Sequence, residues 1–139
     1  MISVEIRGKQ FPLCLTVAAL DSINEKCGGM RNLNGFLFPK RQAGPGGEGS
    51  ENGDLYRQSE NLTWMLGLLI KEGEANRIVE GQFVGNRPER VPVPGPEDLS
   101  HLLGVGEVFQ YIDPIMSAIS ESLSQNVEAK HEKNALHAG

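Results

Sequence analysis

The stretch that decides the fold runs from residue 4 to residue 20 and reads VEIRGKQFPLCLTVAAL. In and next to this stretch, apolar residues alternate with other residues before and after a short polar segment. The apolar residues are Ile2, Val4, Ile6, Phe11, Leu13 and Leu15. A period of two is typical of strands with one buried face. The stretch therefore predicts a β-hairpin that leads directly into a helix near Thr16.

Pro12 decides the predicted register of this hairpin. A two-residue turn at Gly8-Lys9 would place Pro12 where the ladder needs a backbone N–H, which proline lacks. A four-residue loop over residues 7–10 moves Pro12 to a non-hydrogen-bonded pair. We therefore predict that loop, with three facing pairs on one covered side: Ile6 with Phe11, Val4 with Leu13 and Ile2 with Leu15.

The first helix has clear start and stop signals. Thr16 can cap it through its side-chain oxygen, Leu15 and Leu20 stand at the positions of a hydrophobic staple, and Gly28 ends it. This helix should cover the hairpin, because an isolated hairpin is marginally stable in water. Its predicted buried stripe consists of Val17, Leu20, Ile23 and Cys27. A further short helix is expected from Asn32 to Phe38, before Pro39.

Two longer helical patterns follow. The main core helix is predicted to begin at Asp54, with a stripe at Leu55, Leu62, Leu66 and Leu69. Gly73 weakens this pattern, so residues 74–80 form either its bent continuation or a separate short helix. A short helix should begin at Pro96 and end at Gly104. In the last helix, Asp113-Pro114 marks either a new start or a kink, and the apolar stripe comprises Val108, Ile112, Ile115, Ile119 and Leu123.

The segments between these patterns define the domain organisation. Residues 1–125 are predicted to form one globular domain, with a mobile Gly-rich loop at 40–54 and a Pro-rich connector at 82–96. A short strand pair between Phe83-Val84 and Val91–Val93 is an open option within that connector. Residues 126–139 are polar and are expected to be flexible. The fold class is α+β, mainly α, with an N-terminal hairpin packed on a small helical bundle.

Composition and motifs exclude several function classes. A net charge of −5 argues against nucleic-acid binding, and no apolar run approaches the ~18 residues that span a bilayer. Residues Gly44–Gly49 fit G-x-G-x-x-G, but that pattern needs a preceding strand and a helix that opens on the third glycine, and residues 50–53 are predicted to be further loop, so a dinucleotide site is not expected. No cluster has metal-ligand spacing. We therefore predict no catalytic residue, no cofactor, no metal and no membrane span, and a cytoplasmic location in the absence of a signal peptide.

The opening of the chain resembles that of tail assembly chaperones of long-tailed phages and prophages. The shared pattern is V-x-I-x-G-K-x-F-x-L-x-L, then a cap and a helix that ends in Gly: Val4, Ile6, Gly8, Lys9, Phe11, Leu13, Leu15, Thr16 and Leu20. A Leu-rich helix after a variable loop, here Leu55 to Ile70, also fits. The likeness covers about the first half of the chain.

The resemblance implies a small, mainly helical protein without catalytic residues. Such proteins coat the tape-measure protein in the host cytoplasm before tail tube subunits polymerise around it, and are absent from the mature virion. The tape-measure protein, and as a further option the tail tube protein, are therefore the expected partners. The residues we expect to bind lie on the last stripe: Ile112, Ile115, Ile119 and Leu123. The hairpin edge is a second candidate, for self-association into a homo-oligomer.

Two other readings of the sequence remain open. The first is a protein-binding or regulatory adaptor of another system, which would retain partners other than phage structural proteins. The second is a small enzyme that uses Cys27 or a pocket near Trp64. Cys27 falls at a helix C-terminus, where the helix dipole disfavours a thiolate, so the sequence predicts a buried structural cysteine there.

Overall fold

The computed structural model describes residues 1–39 and 50–124, and only the backbone of residues 50–54. The described chain is mainly helical with one N-terminal antiparallel hairpin, which confirms the predicted fold class. Its elements are β1 (Ser3–Ile6), β2 (Lys9–Pro12), α1 (Val17–Cys27), α2 (Leu33–Leu37), α3 (Ser50–Phe83), α4 (Pro96–Leu102), α5 (Val105–Val108) and α6 (112–124). Two 3₁₀ turns, Met30–Asn32 and Phe109–Tyr111, precede α2 and α6.

Two predicted loops fall partly or wholly outside the described residues. Of the predicted Gly-rich loop at 40–54, residues 40–49 lie outside them, and α3 begins at Ser50, four residues before the predicted start at Asp54. The predicted tail at 126–139 lies outside them entirely. In the connector, residues 84–95 contain no strand, so the optional strand pair is not formed.

The hairpin register differs from the predicted one. β1 and β2 pair Val4 with Phe11 and Ile6 with Lys9, and Ile2 lies opposite Leu13, so all three predicted pairs are wrong: Ile6–Phe11, Val4–Leu13 and Ile2–Leu15. The connection is a two-residue turn at Arg7-Gly8, whose φ angles are 51° and 82°. Two positive φ angles give a turn whose twist matches the strands, and this fit outweighs the steric cost at Arg7.

Two other predictions for the hairpin are confirmed. Pro12 lies in a non-hydrogen-bonded pair, and the apolar side chains share one buried face. Leu13 N–H donates to the Ile2 carbonyl at 2.8 Å, so the adjacent Ser3–Pro12 pair is a non-hydrogen-bonded one. The observed turn at Arg7-Gly8 lies one residue earlier than the rejected turn at Gly8-Lys9, and in this register the ladder needs no N–H from Pro12. The predicted covered face is confirmed by its buried side chains: Val4, Ile6, Phe11, Leu13 and Leu15.

Helix α1 has the predicted ends but a different buried face. Ala19 N–H donates to Thr16 Oγ1 at 3.1 Å, and Gly28 ends the helix with φ 88°. The core side of α1 consists of Ala19 and Ile23, both fully buried, whereas Val17 is 86% exposed. The predicted stripe is therefore wrong at Val17, and also at Leu20, which is 38% exposed.

The central element of the fold is α3, which continues through Gly73 without a break. An added Cβ would collide at three of its glycines: at Gly67 with Pro96, at Gly73 with the carbonyl oxygen of Pro12, and at Gly81 with Pro88. Gly73 therefore allows the hairpin backbone to lie directly on α3. Next to it, Cys14 N–H donates to the Leu69 carbonyl at 3.2 Å. The predicted weak point of the helix is the place where the hairpin docks.

The C-terminal helices close the core on the hairpin. Pro114 lies in the first turn of α6, where a missing N–H costs no helical bond, so it starts the helix rather than kinking it. Arg7 donates to the carboxylate of Glu107 and to the Leu102 carbonyl, and Tyr111 Oη donates to the Glu5 carbonyl at 3.2 Å. These bonds join the N-terminal hairpin to helices about a hundred residues later in the chain.

Candidate partner-binding surfaces

The four residues predicted to bind a partner do not form one exposed surface. Ile115 is fully buried and Ile119 is 6% exposed, and both belong to the core formed with the hairpin and α3. Ile112 is half-buried against the same core, and Leu123 is 45% exposed. The α6 stripe therefore faces inward over most of its length. Only its last residue is available to a partner, because the others pack into or against the common core.

The hairpin edges, the second predicted candidate, are partly occupied. Along β1, the outward Glu5 carbonyl accepts from Tyr111 Oη. Along β2, Pro12 has no N–H to offer, and its carbonyl lies against Gly73 of α3. A short edge with a proline is a poor template for an added strand. The structure thus offers little of the hairpin for strand pairing.

The two cysteines occupy half-buried positions. Burial raises the pKa of the Cys14 thiol, and the carboxylate of Glu72 raises it further. Cys27 lies at the end of α1, with Sγ 3.4 Å from the Ile23 carbonyl oxygen. Among residues 1–39 and 50–124, no three His, Cys, Asp or Glu side chains are placed to hold a metal ion together. No helix in that part of the chain is long and apolar enough to cross a bilayer.

Trp64, considered as a possible pocket residue, packs within the helices. Its ring meets Phe36 of α2 edge to face, with the ring centroids 5.6 Å apart. Lys26 Nζ of α1 lies 5.7 Å from the centroid of the indole ring. Both contacts are typical of aromatic packing and of a cation over an aromatic face. Trp64 of α3 thus contacts both α1 and α2.

A groove of about 400 Å³ separates the first half of α3 from α4 and α5. Leu103 caps the end of α4 and Gly104 caps the start of α5, and both residues line the groove. We call it the α3–α5 groove; it is lined by Tyr56, Ser59, Glu60, Thr63, Ser100, Leu103, Gly104, Val105 and Val108. Tyr56 and Val105 are 69% and 56% exposed at its rim. A hydrogen bond with Glu60 raises the pKa of the Tyr56 hydroxyl.

A second apolar surface surrounds the C-terminal end of α3, and we call it the apolar end. Phe83 is 90% exposed and Val79 is 63% exposed. Val84 lines a depression with Met1, and the Val91 N–H is bonded to Glu74 nearby. Four side chains at this end are more than half exposed: Met1, Val79, Phe83 and Val84.

The sequence carried a signal for the apolar end that was not used. Val79 and Phe83 are four residues apart, and so share one face of any helix that includes both. The predicted helical pattern ended at residue 80 and Phe83 was assigned to the connector, so this pair was missed. The α3–α5 groove had no such signal, because its two walls come from residues that are 37 or more positions apart.

The chain matches no family model, no curated protein and no solved structure.

Proposed function

We propose that this protein is a non-catalytic tail assembly chaperone of a long-tailed phage or prophage. In this role it binds the tape-measure protein and keeps it soluble until the tail tube forms around it. The proposal is supported by the resemblance of the opening residues to that family. The hairpin with its capped helix, which carries the resemblance, is formed in the structure.

The observation that carries a binding role is the α3–α5 groove. Its floor includes buried Val108, while Tyr56 and Val105 stand exposed at the rim. Such a groove suits the apolar stripe of an amphipathic helix, which places side chains at i, i+3, i+4 and i+7. A tape-measure protein is expected to expose stripes of this kind. The chain's net charge of −5 would help to keep the complex in solution.

Co-expression tests the proposal directly. The tape-measure protein of the same phage is expressed alone, with this chain, and with a Val105→Glu variant. Val105 is exposed at the first position of α5, where an acidic residue suits the helix dipole, so this variant should fold normally. We expect the chain to increase the soluble fraction of the tape-measure protein, and Val105→Glu to abolish this effect.

A matched control lies at the other end of α3. Phe83→Ser changes an exposed apolar residue outside the groove and should retain the chaperone effect. If the chain leaves the solubility of the tape-measure protein unchanged, the chaperone proposal is wrong. If purification instead retains proteins that are not phage structural components, the adaptor reading replaces it.

A further inference from the structure

The hydroxyl groups that line the α3–α5 groove share one property: each has already donated its proton within the protein. Ser59 donates to the Tyr56 carbonyl at 2.9 Å, and Thr63 donates to the Ser59 carbonyl at 2.6 Å. On the opposite wall, Ser100 donates to the Glu97 carbonyl at 2.6 Å. A hydroxyl carries a single hydrogen, so each of these oxygens can only accept a further hydrogen bond.

The other two polar side chains of the groove add a negative charge. The Tyr56 hydroxyl is hydrogen-bonded to the carboxylate of Glu60, one turn further along α3. A carboxylate has several acceptor sites, so this bond leaves Glu60 able to accept others. Among the described residues that line the groove, none is a Lys or an Arg. The described side chains of the groove therefore present acceptors and negative charge to a ligand, and no donor.

The apolar part of the groove suits the stem of a long side chain. Val108 is buried at its floor, Leu103 is half-buried, and Val105 is exposed at the rim. The volume of about 400 Å³ lies in the range of ligand pockets. A ligand that fits both parts of the groove combines an apolar stem with a head that is rich in hydrogen-bond donors.

We propose that the α3–α5 groove binds an arginine side chain on the amphipathic helix of its partner. A guanidinium group has several N–H donors in a planar fork and no acceptor, so it matches acceptors that lie on two walls. Its aliphatic stem can lie on apolar surface while the charged head reaches polar groups. The net charge of −5 adds a general attraction for cations. The tape-measure protein as the source of this arginine rests on the proposed function, whereas the recognition of the guanidinium does not.

Binding of N-acetyl-arginine amide to the purified full-length chain tests the site without a partner protein. We expect this compound to shift the backbone amide NMR signals of Ser100 and Val105, with a dissociation constant on the order of 1 mM for a ligand of its size. N-acetyl-citrulline amide has a similar shape but a neutral head, and should bind roughly tenfold more weakly. Added salt should weaken the binding of the arginine compound.

Two variants test the residues that we assign to the head group. Glu60→Gln removes the charge while it keeps the shape of the side chain, and should weaken binding of N-acetyl-arginine amide by about tenfold. Ser100→Ala removes one acceptor from the opposite wall and should weaken binding by about threefold. Both residues are exposed, so helix content measured by circular dichroism should be unchanged.

Glu80→Gln is the matched control for Glu60→Gln. Glu80 is also an exposed carboxylate of α3, but it lies beside Met1 and Val84 at the other end of the helix. The two variants change the net charge equally. Glu80→Gln should therefore leave the binding of N-acetyl-arginine amide nearly unchanged.

Co-expression then tests the source of the arginine. Glu60→Gln should reduce the gain in soluble tape-measure protein, and Glu80→Gln should not. If the unmodified chain leaves the tape-measure protein insoluble while N-acetyl-arginine amide still binds in the groove, the chaperone proposal is wrong and the guanidinium site stands. If Glu60→Gln loses the arginine compound but keeps its full effect on the tape-measure protein, an arginine of that protein is not the occupant.

Three results would overturn the guanidinium site itself. The first is N-acetyl-arginine amide that shifts no signal of the groove at concentrations far above the expected dissociation constant. The second is equal binding of the arginine and citrulline compounds. The third is equal weakening by Glu60→Gln and Glu80→Gln, which would indicate attraction by the overall charge alone.

Discussion

At the scale of single residues, Gly73 is the glycine where an added side chain would collide most severely. A Cβ there would collide with the backbone of Pro12, which a side-chain rotation cannot relieve. We expect Gly73→Ala to destabilise the protein by about 1–3 kcal/mol, in the range of overpacked cores, although alanine is the better helix former. The free energy of unfolding in urea measures this change.

Gly35 provides the matched control for this substitution. It also lies in a helix, α2, but it is exposed and nothing lies within 4 Å of an added Cβ. Gly35→Ala should therefore stabilise the protein by about 0.5–1 kcal/mol. If both substitutions have the same sign, helix propensity rather than the contact with Pro12 governs Gly73.

Ile119 and Leu123 separate a core role from a surface role within α6. Ile119 is 6% exposed, so Ile119→Asp should cost more than about 3 kcal/mol by burying a carboxylate in the core. Leu123 is 45% exposed, and Leu123→Asp should cost less than about 1 kcal/mol. Thermal unfolding of the two variants measures the difference. An Ile119→Asp protein that keeps its stability would show that this stripe is free to bind.

The sequence predicted the residue types of the core better than their directions. Leu13, Leu62 and Ile115 were expected on apolar stripes and are all buried. Val17 and Leu20 were also on a stripe but face outward, because α1 buries Ala19 and Ile23 instead. A stripe of apolar residues does not say which neighbour will cover it. For that reason the sequence did not show which residues of a stripe would be exposed.

At the scale of elements, the hairpin shows how a correct constraint can support a wrong register. Pro12 rightly excluded a turn at Gly8-Lys9, but it allows either a four-residue loop or a turn one residue earlier. The earlier turn requires Arg7 in the left-handed region, which its residue type disfavours. The bonds from Arg7 to Glu107 and Leu102 hold it there, and no local sequence pattern reveals them.

The connector after α3 is held by a carboxylate, which makes its attachment sensitive to acid. Hydrogen bonds from Arg77 lower the pKa of Glu74 below the ordinary value of 4.5; burial opposes this shift, and the Val91 N–H adds to it. A lowered pKa means that ionised Glu74 stabilises the fold above pH 4.5, and that this contribution is lost as the pH falls through the lower folded pKa. The protection of the Val91 amide against exchange, measured relative to an unstructured amide at the same pH, should therefore decrease in acid.

The variant that tests this attachment is Glu74→Gln. It should speed amide exchange at Val91 at neutral pH and remove part of the acid dependence of stability. Glu89→Gln is the control, because Arg77 bonds to the Glu89 backbone carbonyl and not to its side chain. Unchanged exchange at Val91 in Glu74→Gln would mean that the contact between Pro88 and Gly81 is sufficient to hold the connector.

At the scale of the whole molecule, the two ends of the described chain share one core. Val4 and Leu13 of the hairpin region belong to the same buried cluster as Ile115 of α6. Leu15 N–H also donates to Ser122 Oγ at 3.2 Å. A fold built on contacts of such long sequence separation cannot lose one end and keep the other. We therefore expect a single cooperative unfolding transition.

Ile115→Ala tests this cooperativity with Trp64 as the reporter. Ile115 is fully buried, so the substitution should cost about 2–5 kcal/mol. Trp64, the only tryptophan, lies against Phe36 and Lys26, among helices α1 to α3. In one cooperative unit, the urea midpoint from Trp64 fluorescence should fall together with the midpoint from circular dichroism. Leu102→Ala, at a position that is 41% exposed, should move both midpoints much less. A Trp64 midpoint that stays in place while helix content falls earlier would show that α6 and the hairpin unfold as a separate unit.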